Sequence, residues 1–190
     1  MTIILGIDPG LTRLGVGVIH HGPGRAVSLV HVDVYRTPAE DEPASRIGSL
    51  ATQLAHLLDE YSPDVVALER VFAQHNLRTV MGTAQISGVV FALAHARSIP
   101  VSLRTPSEVK AAVTGHGRAS KSQVGTLVQA ILGLDEIPQP ADAADALALA
   151  ITEAWRGVAP IAASGGTTLT PAQQAWRAAE AKAKRPRLTE

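Results

Sequence analysis

Apolar and polar positions alternate with a short period at the start of the chain and a longer one afterwards. Ile3-Ile4-Leu5-Gly6-Ile7-Asp8 is a buried-strand pattern that ends in a carboxylate, and Pro9-Gly10 turns the chain. Leu14-Gly15-Val16-Gly17-Val18-Ile19 predicts a second strand, Gly22-Pro23-Gly24 a turn, and residues 26–35 a third strand. Tight turns between consecutive strands predict an antiparallel meander. From Pro43 the spacing changes to that of one helical face, with Ile47, Leu50, Leu54, Leu57 and Leu58 predicting a helix to about residue 61. A short strand over 64–69 again ends in an acid, Glu69. Helix over 76–97, strand over 101–103, and helices starting at Thr105-Pro106 and over 120–132 and 141–155 complete the core.

Three strands, a helix, a strand, a helix, a strand and then helices predict an α/β fold. The expected sheet is mixed and five-stranded, antiparallel at its start and parallel afterwards, with helices on both faces. After about Gly157 the pattern dissolves into Ala-, Ser-, Gly- and Thr-rich sequence and a basic end. The expected division is therefore a domain over 1–157 and a poorly ordered linker and tail over 158–190.

Composition adds three constraints. With no cysteine there is no disulfide framework and no thiolate metal site. The first residues lack a basic n-region and reach an acid at position 8, unlike a signal peptide, and no uninterrupted apolar run has bilayer length. A cytoplasmic protein without membrane association is expected. Net charge is zero but unevenly spread: between Arg70 and Leu134 seven Lys and Arg face one acid, Glu108. Those residues include Arg78, Lys110, Arg118 and Lys121, candidates for contact with a polyanion. The histidines show no metal-ligand spacing.

Asp8 and Glu69 end buried strands, and ligands of open α/β sheets bind beyond the carboxyl ends of strands. Asp142 and Asp145, spaced i, i+3, lie on one helical face. Each acid alone has an ordinary reading as a turn residue or a helix-dipole partner. Brought together, four carboxylates repel by about 4 kcal/mol per pair at 4 Å separation and an effective dielectric near 20. Hard divalent cations with oxygen ligands relieve that cost, and a pair of them can drive phosphodiester hydrolysis.

Five segments in order carry a resemblance: Leu5-Gly6-Ile7-Asp8-Pro9-Gly10, Glu69-Arg70-Val71-Phe72, Val109-Lys110, Lys121-Ser122-Gln123-Val124 and Ala141-Asp142-Ala143-Ala144-Asp145-Ala146-Leu147-Ala148. Over about residues 1–155 the chain resembles RuvC-type Holliday junction resolvases. The resemblance implies a ribonuclease H-like fold and a homodimer on four-way junction DNA. It implies paired nicks in strands of like polarity, leaving 5′-phosphate and 3′-hydroxyl ends, and cooperation with the RuvA and RuvB branch-migration proteins. It implies two Mg²⁺ per site, replaceable by Mn²⁺, held by the catalytic quartet Asp8, Glu69, Asp142 and Asp145. By the same resemblance Phe72 meets bases near the junction centre, and Lys110 and Lys121 lie near the scissile phosphate. Three positions depart from the family pattern: His75, Gly82 and Ser87 stand where basic residues are usual, while Gln85 and Gly88 match. Asp8-Pro9-Gly10-Leu11-Thr12 also resembles the phosphate loop of actin-like phosphotransferases, which gives a competing reading as a nucleotide-binding enzyme. A nuclease acting on RNA or another DNA structure would carry the same acids.

Overall fold

The computed structural model describes residues 1–70 and 77–157, the side chains of 77 and 78 excepted. These residues fall within one unit, Met1–Ala159. Phe72, His75 and the tail over 158–190 lie outside the described residues, as does the side chain of Arg78.

The antiparallel start is β1 (Thr2–Asp8), β2 (Arg13–His21) and β3 (Val27–Arg36). Then come α1 (Pro43–Tyr61), β4 (Val65–Glu69), α2 (Leu77–Ala96) and β5 (Val101–Arg104). The chain closes on α3 (Pro106–Thr114), α4 (Lys121–Leu132) and α5 (Ala141–Arg156). One five-stranded sheet has the order β3-β2-β1-β4-β5, and β4 and β5 run parallel to β1. The mixed sheet expected from the sequence is the one observed. Its topology sets β1 and β4 side by side with the same direction, so Asp8 and Glu69 emerge at one edge.

Strand alternation divides the core into two layers. Leu5, Ile7, Val16, Val18, Val66 and Leu68 pack against Leu50, Leu54 and Leu58 of α1 and Ile86 and Val90 of α2. Ile4, Ile19, Val65 and Ala67 face the other way, onto α5 with α3 and α4 outside it. Helices therefore cover both faces, as the hydrophobic periods predict. One buried polar pair spans the core: Arg104 at the end of β5 donates through Nε to Glu153 Oε2 at 2.8 Å and through Nη2 to the Gly157 carbonyl at 2.7 Å. This ties the C-terminal end of α5 to the sheet.

The layer under α5 is unusually thin. A Cβ placed on Gly6 would stand 2.0 Å from the Ala146 carbonyl oxygen, and one on Gly15 would stand 2.1 Å from that of Asp142. The hydrogen-only side chains of β1 and β2 let α5 lie directly on the strands. Ala143, Ala146 and Ala150 keep its own contact face small.

Helix α2 is only partly buried. Ile86, Val90 and Ala94 reach the core, whereas Met81 and Phe91 are 58% and 42% exposed. By length and mean hydropathy, 1.3 over Thr79–Ala96, α2 could cross a membrane, although 28% of that window is buried in the fold. The run is interrupted by Gly82, Gln85, Ser87 and Gly88, so the expectation that no uninterrupted apolar run has bilayer length stands beside this average. Two departures from the family pattern gain a physical setting here. A Cβ on Gly82 would already come within 3.2 Å of the Leu11 Cβ, and Ser87 is buried, donating to the Thr83 carbonyl at 2.9 Å. The buried Ser87 leaves no room for a long basic side chain in this packing, whereas one at Gly82 would have to displace Leu11 slightly to extend into the neighbouring cleft.

Candidate active site

Asp8 lies at the last position of β1, where its carboxyl group is hydrogen-bonded with that of Glu69 and feels the charge of Asp145. Burial, then the charges of Glu69 and Asp145, push the Asp8 carboxyl up to about 8, and Glu69 shares a hydrogen bond with it. Burial, together with the Asp145 charge, also raises Glu69, while the hydrogen bond from Asp8 and the charge of Lys121 oppose the rise. A proton is thus held between two carboxylates that cannot both ionise at low cost.

Asp142 and Asp145 arrive on the first two turns of α5, which the glycines of β1 and β2 bring down onto the strands. Each has its own cation. Lys121 Nζ reaches Asp145 Oδ2 at 2.6 Å, and Arg13 Nε reaches Asp142 Oδ2 at 3.1 Å. The hydrogen bond to Asp145 is the main influence raising the Lys121 ammonium. Lys121 is the first residue of α4, where the helix dipole disfavours a cation. Its position is set by a capping box in which Ser120 and Gln123 exchange side-chain-to-backbone hydrogen bonds. A lysine at that unfavourable place is compensated by the carboxylates it faces.

The four acids border two clefts that share Asp8. One, about 240 Å³, is lined by Asp8, Glu69, Asp145, Lys110 and Lys121. The other, about 460 Å³, is lined by Asp8 and Asp142 together with Arg13 and Arg46. The expectation that all four acids share one crevice is therefore met in part. Among the described residues no three acidic or histidine side chains converge as ligands of a single ion. Two of the four carboxylates are turned toward Lys121 and Arg13, as mutual repulsion favours. Lys110 lines the Asp8–Glu69–Asp145 cleft, whereas Arg118 is exposed in the α3–α4 connection and lines neither cleft.

The donor set suits a hard cation. All four ligand candidates are carboxylates, and the proton held between Asp8 and Glu69 occupies a place where a divalent ion would relieve the same repulsion. Arg13 is the partner that sequence reasoning missed. Its signal was its place five residues after Asp8, across the β1–β2 turn.

The sequence profile of the family described as crossover junction endodeoxyribonuclease RuvC matches residues 4–153. The chain belongs to that family. It is 57% identical to the crossover junction endodeoxyribonuclease RuvC of Leifsonia xyli, with 95% of this chain and 93% of the relative covered. It is also 57% identical to that of Paenarthrobacter aurescens, covering 97% and 98%. Among solved structures, T. thermophilus RuvC in complex with a Holliday junction substrate superposes with a TM-score of 0.78 at 34% identity, over 82% of this chain and 94% of that one. The yeast mitochondrial Holliday junction resolvase shares the fold at a TM-score of 0.59 and 19% identity, over 80% and 78%. Membership makes the protein an endonuclease of this family, for which Mg²⁺ dependence is general, and removes the phosphotransferase reading.

Proposed function

We propose that the protein resolves Holliday junctions by paired, metal-dependent hydrolysis in strands of like polarity, leaving 5′-phosphate and 3′-hydroxyl ends, during recombination and repair in the cytoplasm. The observation that carries this reading is the half-buried Asp8–Glu69 pair beside Asp145 and Lys121 at the carboxyl edge of the sheet. Asp8, Glu69, Asp142 and Asp145 would hold two Mg²⁺, for which Mn²⁺ would substitute. When bound, such ions supply water activation and charge neutralisation at the leaving oxygen. Residues 1–157 form the nuclease, and the tail over 158–190 adds basic charge.

The protein side chains prepare the phosphate. Lys121 and Arg13 hold Asp145 and Asp142 in place, and move to the incoming phosphate oxygens as the carboxylates turn inward. Lys110 approaches from α3 on the same side as Lys121. Arg78, Arg118 and Phe72 extend the contact away from the cut. The test is single-turnover cleavage of a synthetic four-way junction, with a linear duplex of the same sequence as competitor. Cutting of the junction with little inhibition by an excess of duplex supports the reading, and equal preference for the two contradicts it.

Lys121→Ala should reduce junction cutting by about 10²-fold or more, a scale usual for loss of one electrostatic stabiliser. Its side chain is 74% exposed, so the melting temperature should stay within a few degrees of the parent. A collapse in stability with unchanged cutting per folded molecule would place Lys121 outside the reaction.

Paired cuts call for two linked sites, which a two-fold dimer supplies. The exposed apolar side chains of α2, Met81 and Phe91, support a dimer through that helix. Phe91→Glu is expected to give a monomer by light scattering and to uncouple the two nicks. An unchanged dimer would move the interface elsewhere. RuvA and RuvB act with this dimer on the junction.

A further inference from the structure

We propose that the cleft on the Asp142 side of Asp8 is a second phosphate site, which binds the backbone phosphate adjacent to the scissile one. The inference rests on the junction-cutting reading and extends it along the strand. It starts from Arg46, which belongs to α1 and had no assigned role. Arg46 is only 8% exposed, yet it lines the 460 Å³ cleft. Its Nε donates to Thr37 Oγ1 at 3.0 Å and its Nη2 to Thr12 Oγ1 at 2.7 Å. Thr37 Oγ1 in turn donates to the Leu11 carbonyl at 2.5 Å. All these partners are neutral. Among the described residues no carboxylate lies within ion-pair distance of Arg46, and the acid of this cleft, Asp142, is held by Arg13. A buried guanidinium normally has an anionic partner, because hydroxyls offset only part of the desolvation cost. Here the hydroxyls fix the fork and leave its charge facing a cleft.

The shape of the cleft identifies the anion. Asp8 lines both clefts, so an anion in the larger one is next to the candidate cleavage point. The opposite wall is α2, where Thr79 and Thr83 lie one turn apart and Gly82 packs on Leu11. Arg13, 55% exposed, stands at the mouth and can leave Asp142 for a phosphate. A strand crossing Asp8 thus meets Lys110 and Lys121 on one side and Arg13 and Arg46 on the other. Planar guanidinium groups suit a phosphate oxygen pair, whereas ammonium groups act as point charges. Free inorganic phosphate offers the same chemistry from another source.

The test is single-turnover cutting of junctions with one methylphosphonate at each linkage flanking the scissile one. The full-length parent should lose at least about 10-fold when one particular flanking linkage is neutralised. Arg46→Gln should lose a similar factor on the natural junction and show no further loss at that linkage. Its binding should also weaken less steeply with salt, by about 0.9 in the log–log slope per contact removed. Thr79→Glu, an exposed substitution, puts repulsion on the opposite wall and serves if Arg46→Gln fails to fold. It should slow cutting of the natural junction, with the deficit shrinking when the same linkage is neutral. Equal methylphosphonate penalties in the parent and the variants would make Arg46 a brace for the β1–β2 turn and overturn the proposal. Inhibition by inorganic phosphate without any effect of linkage neutralisation would assign the cleft to free phosphate and overturn it too. A parent that cuts no junction would instead sink the function on which the proposal rests.

Discussion

Asp8→Asn is expected to reduce junction cutting by at least about 10³-fold while leaving junction binding within a few-fold of the parent. Asn keeps the size and one acceptor oxygen but removes the charge that the cation site needs. The same substitution should stabilise the metal-free protein at neutral and alkaline pH. The Asp8 carboxyl stands near 8 in the fold against 3.8 in the unfolded chain. Below about pH 4 both states are protonated and the group is neutral toward folding. Between about pH 4 and 8 the folded state keeps a proton that the unfolded state has released, so stability falls as pH rises through that window. Even half the shift amounts to about 3 kcal/mol. Thermal melts in chelator should therefore show the parent losing stability from pH 5 to 8, the variant losing less, and Mg²⁺ rescuing the parent preferentially. Cutting that survives the substitution would remove Asp8 from the reaction.

Gly6→Ala is the second large expected effect, and it acts through the fold. The added methyl would stand 2.0 Å from the Ala146 carbonyl oxygen and 2.7 Å from the Ala150 nitrogen, both backbone atoms of α5. No side chain can yield, so the helix must lift or tilt. Overpacking of this kind costs about 3 kcal/mol, and for a domain of this size each kcal/mol lowers the melting temperature by about 2–4 °C. Asp142 and Asp145 ride on the helix that moves, so cutting per folded molecule should fall as well. A variant with parental melting temperature and rate would show that the helix does not need this close approach.

Much of this architecture was legible in the sequence because its signals are local. The helix from Pro43 to Tyr61 follows its apolar spacing, and the strand ends at Asp8 and Glu69 are visible as acids closing apolar runs. Asp142 and Asp145 could be placed on one helical face, but spacing does not say what that face meets. The answer lies in Gly6, Gly15 and Gly17, whose missing side chains admit α5. The glycines looked like ordinary strand residues until the helix was placed on them. Likewise, the pairing of Asp142 with Arg13 and of Asp145 with Lys121 joins residues far apart in the chain, and no periodicity reports it. The apolar character of α2 was visible in the sequence, but which of its side chains stay outside the fold, Met81 and Phe91 among them, depends on how it packs against α1 and the sheet. Phe72, expected to contact bases, lies outside the described residues, and its role stands on the resemblance of its segment to the family.

The most direct measurement is anomalous scattering from Mn²⁺ in crystals of the full chain bound to an uncut four-way junction. The account predicts Mn²⁺ coordinated by Asp8 with Glu69 and the two α5 acids, and Lys121 and Arg13 moved from Asp145 and Asp142 onto phosphate oxygens. Manganese bound elsewhere, with both ion pairs intact and the scissile phosphate away from Asp8, would contradict it.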